Sequence, residues 1–164
     1  MTESGARVLR NVSHGVNDIF WFILPSLLPV ILEQFDMKYG TAGGLLAAFL
    51  IVIAVFSFAL GKLSDRVPRQ LILGSGFLVA SVFLIFSSLA ERYGVFVVFL
   101  LISGVGVGSY HPTIYAHIDE TTARRQGREY GMFELWGFTG IFLMFLLHGF
   151  LLEEWARMFG VDFG

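Results

Sequence analysis

Residues 41–60 run for twenty positions without a charged side chain, and residues 71–89 for nineteen more. Few folds admit such runs. The hydrocarbon core of a bilayer is about 30 Å thick, and a helix needs about 20 apolar residues to cross it. A strand reading fails because neither run alternates apolar with polar residues. Three further segments reach the same length: 16–34, with an uncharged stretch over 19–32, then 93–117 and 130–152. The expectation is an all-α integral membrane protein with five transmembrane helices, at about 16–34, 41–60, 71–89, 93–117 and 130–152.

Composition agrees. Apolar residues make up 55% of the 164 and charged residues 15%, against roughly a quarter charged in a soluble domain. The formal net charge of −2 supplies no basic footprint for nucleic acid. With no cysteine, disulfides and thiolate metal sites are excluded, and no metal or cofactor is expected. Arg7 and Arg10 would suit the basic start of a signal peptide, but no small-x-small site follows the first run, whose exit reads EQFDMKYG. That run is therefore an uncleaved span preceded by a cytoplasmic segment, 1–15.

Orientation follows from the cations. Arg7, Arg10, Lys62, Arg66, Arg69, Arg124, Arg125 and Arg128 would lie on one side, and Lys38, Arg92 and Arg157 on the other, eight against three. The N-terminus is thus expected in the cytoplasm of a cell membrane protein. Residues 153–164, with Trp155 and Phe159 four apart, read as an extracytoplasmic amphipathic tail or the start of an unfinished loop. Short loops make consecutive helices antiparallel neighbours.

The stretch GKLSDRVPRQ, residues 61–70, breaks two charge-free runs with four charged residues. Gly61 lets another helix approach closely. Asp65 suits the N–H groups and dipole at a helix start, while Arg66 and Arg69 suit acidic partners or anionic lipid headgroups. The pattern G-x-L-x-D-R-x-x-R resembles the signature loop of the major facilitator superfamily, G-x-L-x-D-R-x-G-R-R, with Pro68 and Gln70 as departures. SHGVNDIFWFILPSLLP (13–29) and GVGVGSYHPTIYAHI (104–118) resemble the first and fourth helices of its fosmidomycin-resistance-like branch. Thr113 stands where that branch commonly has glutamate, Met144–Phe145 where related exporters carry Gly-Pro, and Ser103 near the place of a helix-four arginine. The resemblance implies the N-terminal helical bundle of a twelve-helix transporter, whose loop aspartate engages a helix of the C-terminal half.

Ionisable groups within spans are costly, so they are functional candidates by default. Asp18 follows His14 by four residues, on one helical face, with Asn17 beside it. His111 precedes Pro112, whose ring and missing N–H free a carbonyl one turn back. Glu134 enters the fifth span six residues after Arg128. These five are candidates for proton coupling or substrate contact. The alternatives are a dipole-satisfied helix start for Asp18, a loop-arginine pair for Glu134 and a backbone hydrogen bond for His111. His148 suits a structural role. His117, Asp119 and Glu120 include metal-ligand types, but a solvated helix end suits them better. Gly104 and Gly108 share a face with His111 and Tyr115 and suit close packing. Pro25 and Pro29 share a face that would bend the first helix.

No nucleophile box or metalloprotease motif is present, so an enzyme is not expected. The leading expectation is a secondary transporter, or its N-terminal half, moving a small organic solute by alternating access, with export implied by the resemblance and proton coupling suggested by Asp18, His111 and Glu134. The second is a truncated or regulatory membrane module that needs a C-terminal half or a second copy of itself. Membrane lipid is a partner in either case.

Overall fold

The structure, a computed structural model, describes residues 3–121 and 126–159, with side chains as far as Glu154. Arg124 and Arg125, the side chains of Trp155 and Phe159, and residues 160–164 lie outside the described residues. The described chain is helical: α1 (Glu3–Ser26), α2 (Leu28–Gln34), α3 (Tyr39–Ser64), α4 (Arg69–Ser88), α5 (Tyr93–Gly108), α6 (Tyr110–Thr121) and α7 (Gln126–Phe159). Four spans are long and apolar enough to cross a membrane: α3, α4, α5 with α6, and α7 as far as Glu154; α1 and α2 make a fifth if they are one span. The helices form two compact units, residues 28–130 and residues 1–27 with 131–164.

In the first of these, α5 packs against both α3 and α4, which scarcely touch each other. The sequence of α5 explains this double contact, because small residues on two of its faces admit neighbouring backbones. Gly104 and Gly108 face α3. A Cβ on Gly104 would lie 3.1 Å from the Phe49 ring, and one on Gly108 would lie 2.6 Å from the Ile53 carbonyl oxygen. Gly106 faces α4, where Gly76 and Ala80 are spaced by four. A Cβ on Gly106 would strike the Gly76 carbonyl oxygen and come within 2.5 Å of the Ala80 nitrogen. Phe49, Ile53, Leu100 and Val107 are fully buried around these contacts.

The turn after α2 is closed by backbone alone. The Met37 amide donates to Leu32 C=O at 2.9 Å and the Asp36 amide to Glu33 C=O at 3.3 Å. This is the paired bonding of a left-handed helix stop, and Asp36 occupies its left-handed position with φ 46°. Glycine meets no Cβ penalty there. Asp36→Gly should therefore raise stability by up to about 1 kcal/mol, measured by thermal unfolding in detergent. A lowered midpoint would contradict this turn.

The span over 93–121 is divided at Ser109 into α5 and α6, and Pro112 supplies the physical reason. Without an amide hydrogen it leaves the Gly108 carbonyl unpaired within its own helix. Ser57 of α3 donates its hydroxyl to that carbonyl at 2.9 Å. Thr113 Oγ1 donates to Ser109 C=O at 2.7 Å, and Ser109 Oγ to Gly106 C=O at 2.7 Å. We expect Ser57→Ala to cost about 0.6 kcal/mol, the average for a hydrogen bond between membrane helices. Reversible unfolding in mixed micelles would measure it; a variant as stable as the parent would remove Ser57 from this role.

In the second unit, α7 turns a stripe of Phe133, Gly137, Gly140 and Met144 inward, at spacings of four, three and four, as one buried helix face requires. Residues His14, Gly15, Asn17, Leu24 and Ser26 are buried on α1. The two helices meet backbone to backbone: a Cβ on Gly140 would lie 2.5 Å from the Gly15 carbonyl oxygen. The helix α1 begins at Glu3, inside the segment that sequence reading left outside the first span, and Leu27 separates it from α2. Pro25 lies in the last turn of α1 and Pro29 in the first turn of α2, a position where the missing N–H costs little.

Candidate functional site

Within the α1–α7 unit, His14 is the most constrained ionisable residue. Its side chain is 0% exposed, and its ring stacks on Phe133 with centroids 3.6 Å apart and planes 3° from parallel. Its Nδ1 lies 2.7 Å from the Phe133 carbonyl oxygen. A carbonyl only accepts, so Nδ1 carries the hydrogen in that bond. The other ring nitrogen, Nε2, lies 3.3 Å from Asp18 Oδ2, one turn along α1. A neutral ring protonated at Nδ1 would set a lone pair against a carboxylate. The contact is attractive only with a second proton between the two atoms, on the imidazole or on the acid.

Helix α7 leaves room for the pair by having no side chain at residue 137. A Cβ on Gly137 would strike Asp18 Oδ2 and lie 2.7 Å from His14 Cε1. Asn17 is 2% exposed on the same stretch of α1, and Glu134, next in the chain after Phe133, is half-buried. Toward the other end of the two helices, Ser26 Oγ lies 2.8 Å from His148 Nδ1 and donates to Ile23 C=O at 2.8 Å. A hydroxyl has one hydrogen, so the bond to Ile23 makes His148 Nδ1 the donor to Ser26. His148 thus ties α7 to α1.

The other unit contains the 61–70 loop. Gly61 lies against α6, where a Cβ would sit 3.0 Å from Pro112 Cβ. Arg69, at the start of α4, holds Glu120 near the end of α6 through two parallel bonds of 2.5 and 2.7 Å. That fork is the geometry in which arginine grips a carboxylate best. The Asp65 side chain is exposed and makes no hydrogen bond or ion pair among the described residues, so it does not cap α4, whose N-cap is Pro68. Arg66 is exposed beside it. The metal-type residues at the end of α6 are engaged otherwise: Glu120 by Arg69, and Asp119 by the Tyr130 hydroxyl at 2.8 Å and Gln126 Nε2 at 3.2 Å. His117 is exposed.

His111 is half-buried in a row of rings. It contacts Tyr110 at 5.7 Å and Tyr115 at 5.6 Å between centroids, and Tyr115 continues to Tyr130 at 5.6 Å. The structure thus joins His14 with Asp18 on α1 and Arg69 with Glu120 across α4 and α6. Sequence reading missed three participants. The Phe133 carbonyl is a backbone group with no sequence signature. Tyr130 had none either. Ser57 had an indirect one, since Pro112 announced a carbonyl that needed a donor.

The sequence matches the Major Facilitator Superfamily over residues 12–162. It is similar to synaptic vesicle glycoprotein 2A of Pongo abelii, 28% identical over 138 residues, covering 75% of this chain and 19% of that protein. The Homo sapiens form is 30% identical over 109 residues, covering 66% and 15%. The uncharacterized MFS-type transporter YceJ of Bacillus subtilis is 29% identical over 99 residues, covering 59% and 25%. The chain therefore spans a quarter or less of the length of these relatives. With the match running through all the described spans, the chain belongs to the Major Facilitator Superfamily, a family of multi-pass membrane transporters.

Proposed function

We propose that this chain is the N-terminal part of a secondary active transporter that exports a small organic solute by alternating access, driven by protons. The observation that carries the reading is the contact of two protonatable side chains, His14 Nε2 and Asp18 Oδ2, 3.3 Å apart and packed against Gly137 of α7. A coupling site must bind a proton in one conformation and release it in another. A pair with a buried imidazole pinned by a carbonyl of a second helix suits that need, because moving α7 relative to α1 alters the acceptor that fixes the imidazole. Asn17, His111 and Glu134 are further candidates for solute or proton contact. The motifs at 13–29 and 104–118 favour the fosmidomycin-resistance-like branch, and the excess of cations beside the 61–70 loop favours a cytoplasmic N-terminus in the cell membrane. Asp65, exposed and without an ion pair among the described residues, favours a partner for this loop supplied by a C-terminal half or a second copy of the chain.

Purified protein in liposomes with a trapped pH dye tests this. Each solute of a panel is added under an imposed pH gradient, and solute-dependent proton movement is expected for at least one class. A solute carried equally fast with and without the gradient would sink proton coupling and leave transport standing. If no solute crosses, the chain is a membrane module without transport of its own.

A further inference from the structure

The turn between α4 and α5 lies at the far end of α4 from Arg69, about 30 Å away at the helical rise. Its backbone closes on itself. The Leu89 amide donates to Ile85 C=O at 3.3 Å and the Ala90 amide to Ser87 C=O at 3.1 Å, while the Val95 and Phe96 amides both donate to Arg92 C=O at 3.0 Å. The Ser87 and Ser88 hydroxyls donate to Leu84 and Ile85 C=O, each at 2.8 Å. Closing the turn therefore requires nothing from the side chains of Glu91 and Arg92. Both are exposed, and neither makes a hydrogen bond or an ion pair among the described residues.

These two opposite charges are neighbours in the chain, yet they do not neutralise each other. The extended backbone of Arg92, with φ −108° and ψ 131°, turns successive side chains apart. Both still border one recess of about 430 Å³, a volume within the range of small-molecule sites. The apolar side of the recess is formed by Phe86, Leu89, Val95 and Phe99. The Phe86 and Phe99 rings meet at 5.6 Å, and Phe83 backs both at 6.0 and 5.9 Å, so the aromatic wall is held in place by a third ring. The helices on either side of the turn belong to candidate membrane spans. Charges are costly in hydrocarbon, so the turn belongs at the aqueous boundary of the membrane.

We infer that this recess binds a small zwitterion with an apolar side group, of the chemical class of the hydrophobic amino acids. Its ammonium lies against Glu91, its carboxylate in the guanidinium fork of Arg92, and its side group against the Phe86 and Phe99 rings. A simple cation is drawn to Glu91 but repelled by Arg92, and a simple anion meets the reverse. A molecule carrying both signs is attracted by both. Among zwitterions, the aromatic wall selects those with an apolar group to bury. The site is separate from the His14–Asp18 pair, and its occupancy does not depend on proton coupling.

The test uses the whole chain, delipidated in mild detergent, with radiolabelled phenylalanine as the probe and scintillation proximity as the readout. Saturable binding is expected. Phenethylamine, which lacks the carboxylate, and 3-phenylpropanoate, which lacks the ammonium, should compete about fivefold less well than phenylalanine, the factor for an exposed ion pair at the upper end of its range. Glycine, with nothing to place on the rings, should compete more than about tenfold less well. Glu91→Gln should weaken phenylalanine about fivefold without weakening 3-phenylpropanoate, and Arg92→Gln should weaken it equally without weakening phenethylamine. The competition series on the parent protein needs no variant to fold. Absence of saturable binding, or phenethylamine or 3-phenylpropanoate competing as well as phenylalanine, overturns the inference. Phenylalanine binding that both variants retain in full lies elsewhere on the protein and overturns it too. Displacement of the probe by phosphatidylethanolamine added to the micelles would give the recess to a lipid headgroup instead. Failure of proton coupling in liposomes would leave this site standing.

Discussion

Gly106→Ala should destabilise the α3–α5 bundle by about 3 kcal/mol, the upper end for a methyl forced into a packed interior, and Gly106→Leu should leave no folded bundle. The magnitude follows from what the new carbon would meet. Ala80 N, Ala80 Cα at 3.1 Å and the Gly76 carbonyl oxygen are all backbone atoms of α4. A side chain could rotate aside; a helix backbone must move as a whole, taking the Phe77 and Phe83 rings with it. Gly74 is the internal control. It lies on the same helix with nothing within 4 Å of its added Cβ, so Gly74→Ala should stabilise α4 by up to about 1 kcal/mol through helix propensity. Denaturant unfolding of both variants in mixed micelles reads the difference. If both alanines behave alike, the close approach of α4 to α5 is refuted.

Asp18→Asn should abolish pH-gradient-driven transport, to the level of protein-free liposomes, while leaving the fold intact. Asparagine keeps the size of aspartate and can donate an N–H to His14 Nε2. The contact then persists with a neutral imidazole and no transferable proton. The proton-bound geometry becomes permanent, and solute exchange without a gradient should continue in whatever steps do not need release. His14→Phe removes both bonds and should lose stability as well as drive. Reconstituted exchange and gradient-driven assays separate the outcomes. Gradient-driven transport surviving in Asp18→Asn would remove the pair from coupling.

Much of this was legible in the chain because bilayer physics writes in long words. The charge-free runs at 41–60 and 71–89 needed no neighbour to be interpreted, and small residues spaced by four at 104 and 108 announced helix contact. What the runs could not give was the partner. Arg69 was readable as a cation seeking an acid, but Glu120 was chosen by how α4 and α6 approach, which no spacing encodes. His14 and Asp18 were readable as one face of one helix. That the imidazole is pinned by the Phe133 carbonyl was not, since every residue has such a carbonyl. The split at Ser109 falls between these cases: Pro112 announced a disturbed helix, while its position and its repair depended on Ser57.

That repair has a consequence for how the protein is made. A chain leaves the ribosome from its N-terminus, so α3 is synthesised before α5 and α6. The hydroxyl that serves the Gly108 carbonyl therefore precedes it into the bilayer by fifty-one residues. A span with a bare carbonyl is an awkward passenger for lateral release into lipid. Here an earlier passenger already holds the missing hydrogen. Moving Ser57 to a later helix, with the finished contacts unchanged, would leave the same folded protein harder to assemble.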